Sequence, residues 1–197
     1  MGLRLAAHGA SRCVFGLNAT ALLLAAVSSP AQGKPKPDTP PTVDARLVEL
    51  RKLCFDKAAK HDAAALEILT DLNKRFAKLS PAERSAVART TGELLRSPRC
   101  RRPAKSDQLF RAIVRLLGCA GKQGGNELWG AFQLHRSTKK FHGKEWLPLR
   151  GQMLEQLGQT KDERHIKNLM AVARHDTEPV LMARAGAALR HFKDSTH

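Results

Sequence analysis

The chain has no tyrosine, and with seven Phe and two Trp its aromatic content is only 5%. That scarcity argues against a stacking platform for bases or sugars, which is built from exposed rings. Catalytic signatures are missing as well: there is no HExxH pair, no Walker loop and no serine-nucleophile elbow. No segment sustains the period-two alternation of a half-buried strand. Acidic residues are few, 18 Asp and Glu against 34 Lys and Arg, so the 197 residues carry a formal net charge of +16. At 42% hydrophobic the chain is nevertheless too apolar for a disordered tail and long enough for about one domain.

What is present begins with a leader. Arg4 and Arg12 precede an uncharged run from Cys13 to Ala31, whose apolar centre, Val14 to Val27, ends in small residues. Positive flank, short apolar run and small-residue exit predict a secretory signal peptide over 1–31, cut after Ala31 with Ser29 and Ala31 as its small positions. Asn18 interrupts the run, which falls short of the roughly 20 residues that span a bilayer; the alternative is an uncleaved membrane anchor. Ala10-Ser11-Arg12 before Cys13 does not form a lipobox. Four prolines between Gln32 and Thr42 predict an extended Pro/Lys-rich linker over 32–42. The leader holds two basic residues and no acid, which leaves +14 for the rest of the chain.

From residue 43 to 197 the apolar spacing is helical. Leu47, Leu50, Cys54 and Ala58 share one face, as do Ala65, Leu69, Leu72, Phe76 and Leu79. Ser80-Pro81-Ala82-Glu83 reads as a capping box with proline at the first helical position, and Ser97-Pro98 stops that helix. Leu109, Phe110, Ile113, Val114 and Leu117 form the next face, which Gly118 and Gly121 end. Gly121 to Gly125 follows a helix and not a strand, so it is expected to be a turn and not a phosphate cradle. Further faces run through Leu128 and Phe132, through Trp146 to Leu157, through Ile166 to Ala173, and through Leu181 to Phe192. Eight short helices predict an all-α domain.

Internal offsets of 35 and 40 residues, taken from Leu154/Leu157 against Leu189/Phe192 and from Leu117-Gly118 against Leu157-Gly158, bracket a two-helix repeat. The segment Leu157-Gly158, Asp162, Arg164, Ile166, Leu169, Ala173, Asp176, Glu178-Pro179, Leu181, Ala185, Ala188-Leu189 resembles the HEAT repeat, most clearly over about 155–193. In that family an Asp-containing turn opens the first helix and a proline opens the second. The resemblance implies a right-handed α-solenoid of three to four antiparallel helix pairs, with a groove lined by the second helices that serves protein interaction. It implies no chemistry.

Charge concentrates in one window. Arg84 to Arg115 holds nine basic residues against Glu93 and Asp107, half of the excess that remains without the leader. Arg96, Arg99, Arg101, Arg102, Lys105 and Arg111 are the expected anion- or partner-binding set, because the arginine fork suits carboxylate and phosphate oxygens. A solvated loop with ordinary helix exteriors is the plain alternative. The expected partner is another protein, acidic in character, or an anionic polymer; nucleic acid is a second reading, since a basic groove on a HEAT-like scaffold can hold DNA through its phosphates. A leader that sends the chain out of the cell turns that reading toward envelope or extracellular polyanions.

Metal chemistry and catalysis find little footing. His61-Asp62, His142 and His175-Asp176 superficially follow a phosphohydrolase pattern, but the downstream aspartate it needs is represented only by Asp194. Helix-junction roles fit these pairs better, and no catalytic residue, metal or cofactor is expected. Cys54, Cys100 and Cys119 remain outside the leader. Pairing Cys100 with Cys119 must span a helix of about 18 Å, so one disulfide would join Cys54 to Cys100; three reduced thiols is the other state. The resulting expectation is an exported, non-enzymatic interaction module.

Overall fold

A computed structural model describes residues 41–56, 59–100, 102–137 and 143–195, with side chains to residue 192. The leader, all but the end of the linker, Ala58, Arg101 and His142 lie outside the described residues. Among them, every regular element is helical. Eight α-helices follow in order: α1 Val43–Cys54, α2 Asp62–Arg75, α3 Pro81–Arg96, α4 Gln108–Gly118, α5 Gly121–Ser137, α6 Leu147–Gln159, α7 Ile166–His175 and α8 Pro179–Leu189. No described helix is long and apolar enough to cross a membrane.

Local chemistry sets several of these boundaries. Thr42 caps α1 by accepting the Ala45 amide at 3.3 Å. At α3 the Ser80 hydroxyl accepts the Glu83 amide at 3.3 Å, while the Glu83 carboxylate accepts the Ser80 amide at 2.8 Å. Both halves of the capping box are therefore made; the Ser80 hydroxyl also donates to the Glu83 carboxylate at 2.7 Å, and this bond, with that from the Ser80 amide, holds the Glu83 carboxyl below its usual range. Proline opens α6 and α8 at a position where no amide is needed.

The glycine segment differs from the sequence expectation. Residues 121–125 are the first turns of α5, and the link from α4 is only Cys119 and Ala120. Gly121 takes a φ of +57°, which favours a residue without a side chain. Gly124 lies so close to the end of α4 that an added Cβ would overlap the Leu117 carbonyl oxygen.

Packing follows a regular order. The helix α1 touches α2 and α3, α2 touches α4, and α3 touches α4 and α5. The next contacts join α4 to α5 and α6, α5 to α6, α6 to α8, and α7 to α8. Contacts thus run in succession through α2, α4, α6 and α8, and through α1, α3 and α5. Central position explains composition: α4 buries Leu109, Phe110, Ile113, Val114, Leu116 and Leu117 because it has neighbours on nearly every side. Each such large apolar side chain contributes roughly 1.5–3 kcal/mol on burial. The α6–α8 contact is drawn close by Gly158, where an added Cβ would come within 2.7 Å of the Ala188 carbonyl oxygen.

Candidate functional site

The α3–α4 connection carries most of the arginine set expected from the sequence, and the structure divides that set. Arg99 and Lys105 are exposed. Arg101 lies outside the described residues. Arg96 is half-buried and ion-paired with Glu127 of α5. Arg111 is paired with Asp107, one helical turn before it, at 2.8 Å, and that hydrogen bond raises its pKa above the ordinary arginine value.

Arg102 requires a correction. Its side chain is 0% exposed and turns inward, where Nε and Nη2 donate to both Asp62 oxygens at 2.7–3.0 Å. Nη2 also donates to the Cys54 carbonyl at 3.2 Å. A guanidinium held this way ties the end of α1 and the start of α2 to the α3–α4 connection; it does not face an outside ligand. Asp62, one member of a His-Asp pair in the sequence, is the acid that fills the fork. The second pair also has a local role, since Asp176 Oδ1 accepts the Glu178 amide just before α8, at 3.0 Å. Among the described residues no three His, Cys, Asp or Glu side chains gather as a metal site.

Cys54 and Cys100 are both fully buried and stand beside Arg102 and Asp62, close enough for their thiols to hydrogen-bond. They are free thiols in the structure, as is the exposed Cys119.

A different basic surface forms where α4, α6 and α8 adjoin. It is a cleft of about 640 Å³. Arg111 and Arg115 of α4 line it together with Lys144 from a short 3-10 turn (Lys144–Trp146) and Arg184 of α8. Leu147, Pro148 and Gly151 of α6 form its apolar part, and Val180 of α8 adds an exposed apolar contact. The local sequence explains the shape. Gly151 has no Cβ, and an added one would stand 3.3 Å from Arg184 Cγ, so the arginine stem crosses the helix closely. Arg184 Nη1 meets both Glu155 oxygens at 3.2 Å, and Gln152 Nε2 donates to the Arg111 carbonyl at 3.4 Å. Four cations therefore share the cleft with one carboxylate. Arg115 and Lys144 have no ion-pair partner among the described residues. Neither Trp presents a ring there: Trp146 is buried, and Trp129 stacks on Phe132 with ring centroids 5.5 Å apart.

Sequence reasoning placed Arg111 in its patch and Arg115 in its basic window, but missed Lys144 and Arg184. Helical spacing puts Arg111 and Arg115 one turn apart on one face; the two distant cations join them only through tertiary packing.

Two buried histidines bear on pH. His135 Nε2 donates to the Leu95 carbonyl at 3.1 Å, linking α5 to α3, and its ring is edge-on to Phe110 and Trp146. Burial is the main cause that pushes its pKa below the ordinary value, and the Arg150 charge adds to it. His165, before α7, is likewise lowered by burial; Asp162 opposes that shift and Arg164 reinforces it. Folded pKa values below about 6.5 mean that the unfolded chain binds the extra protons first. The stability held by neutral His135 and His165 is thus complete above about pH 6.5 and is lost as pH falls through and below it. Urea midpoints should be level between pH 7 and 8 and lower at pH 5.5; a midpoint that stays constant or rises on acidification would contradict this.

Comparison of the chain with protein-family models, with curated proteins and with solved structures returned no match.

Proposed function

We propose that this protein is an exported, non-enzymatic interaction scaffold, a right-handed HEAT-like α-solenoid of four helix pairs that holds an acidic polypeptide segment in the cleft across α4, α6 and α8. The observation that carries the reading is the pairing of charge and concavity: Arg115 and Lys144, without ion-pair partners among the described residues, line a cleft whose wall is partly apolar. Spaced carboxylates satisfy such cations, and an apolar side chain between them covers Leu147, Pro148 and Val180. The contact order supports the scaffold, because α2, α4, α6 and α8 touch in succession, as do α1, α3 and α5, in the manner of stacked pairs. Export rests on the leader at 1–31. A protein segment fits better than nucleic acid because, among the described residues, no aromatic ring lines the cleft to receive a base.

Poly-glutamate is the direct probe. Titration should show binding that weakens steeply as salt rises from about 0.05 to 0.5 M. Reversing both free cations, Arg115→Glu with Lys144→Glu, should weaken it by about tenfold or more, which corresponds to roughly 1.4 kcal/mol. Unchanged binding in that variant removes the cleft as the site. Tighter binding to single-stranded DNA than to poly-glutamate favours the nucleic-acid reading instead.

A further inference from the structure

We infer that Cys54 and Cys100 form a disulfide site, which fastens the last turn of α1 to the connection between α3 and α4. The two residues are 46 positions apart in sequence, yet both are fully buried and their side chains meet. Their surroundings are already fixed by other bonds. The Arg102 guanidinium spans from Asp62 to the Cys54 carbonyl, and the Cys100 amide donates to the Ser97 carbonyl at 3.2 Å. Both backbones are thereby held in place before any sulfur–sulfur bond forms, which limits the movement that closure demands.

The two thiols lie within hydrogen-bonding reach, and the Arg102 guanidinium beside them favours the thiolate at either sulfur. Either thiolate can attack first; when Cys100 does, it attacks a disulfide donor such as oxidised glutathione, forming a mixed disulfide and expelling one glutathione thiolate. Cys54, on losing its proton to solvent, then attacks the Cys100 sulfur, forming the Cys54–Cys100 bond and expelling the second. Two protein thiols are oxidised, one glutathione disulfide is reduced, and the two protons released end on the two glutathione thiols. Because both sulfurs are shut away from solvent in the folded state, exchange belongs to folding or to local opening, and the closed bond resists later reduction.

The proposal shares with the functional reading only its oxidising compartment, and the test separates the two. The full chain is refolded in a glutathione redox buffer, alkylated and mapped by peptide mass spectrometry. Cys54 should be recovered linked to Cys100, with Cys119 alkylated. Thermal unfolding of this form should lie about 10 °C above that of the fully reduced form, as expected for closing a loop of this length in a domain of this size. Cys119→Ser should retain the shift, whereas Cys54→Ser and Cys100→Ser should each abolish it. Recovery of Cys54 and Cys100 as alkylated thiols, or of a bridge that includes Cys119, overturns the site; the wild-type map decides this even where a serine variant folds poorly. If the bridge closes on refolding but the protein is recovered from its cells only in the cytosolic fraction, with Cys54 and Cys100 reduced, the disulfide site stands and the exported reading fails.

Discussion

Replacing Arg102 with alanine is expected to cost about 3–5 kcal/mol of folding stability, because it leaves Asp62 partly buried without its counter-charge. The geometry supports a value in that range rather than the fraction of a kcal/mol typical of surface pairs. The guanidinium is fully enclosed, it meets both carboxylate oxygens, and it also satisfies the Cys54 carbonyl at the end of α1. Three segments distant in sequence meet on one side chain. Arg102→Lys should recover only part of the loss, since an ammonium cannot reproduce the planar fork that serves Asp62 and Cys54 together. Changing both partners, Arg102→Met with Asp62→Leu, should be much less harmful than Arg102→Ala alone, because no charge is then stranded. Urea denaturation of the three variants supplies the comparison. A loss below about 1 kcal/mol for Arg102→Ala would place the pair among ordinary surface bridges. The same physics separates two positions within one loop: alanine at the exposed Arg99 should leave stability nearly unchanged, whereas alanine at Arg102 reports on folding.

The helices were legible in the sequence for reasons that act within a few residues. Ser80, Pro81 and Glu83 carry a complete start signal, Ser97-Pro98 a stop, and the apolar residues of α4 repeat at a spacing that admits only a helix. The glycines at 121, 124 and 125 misled because glycine marks both turns and close approaches; only the nearness of Leu117 and His165 tells which applies. Charge was the least legible property. Arg99 and Arg102 are three positions apart and chemically identical, yet one is exposed and the other enclosed, since the difference lies in Asp62, forty residues away. The cleft has the same character. Lys144 and Arg184 belong to elements far from α4, and local pattern holds no information about which cations a fold will gather. The Cys54–Cys100 juxtaposition was accessible because a negative argument sufficed: an intervening rigid helix separates Cys100 from Cys119.

A methyl group at Gly124 provides the sharpest test of the α4–α5 junction. Gly124→Ala places a Cβ on the Leu117 carbonyl oxygen and 2.9 Å from Ala120 Cβ. Neither obstacle is the movable end of a long side chain: one is backbone at the end of α4 and the other is the first atom of a side chain in the two-residue link. Relief requires α5 to shift relative to α4. Alanine has the better helix propensity by up to about 1 kcal/mol, but an overlap of this kind outweighs it, and a net loss of about 2–3 kcal/mol is expected. Gly186 in α8 is the internal control, because an added Cβ there meets nothing within 4 Å. Gly186→Ala should therefore stabilise the protein by about 0.5–1 kcal/mol. Opposite shifts of the urea midpoint are the expected result, and a common sign for both variants would contradict the close approach. The consequence reaches the cleft: α5 packs on α3, α4 and α6, so displacing its first turn also moves the supports of Arg111 and Arg115. Binding of poly-glutamate should fall in Gly124→Ala even where the protein remains folded, whereas Gly186→Ala should leave it unchanged.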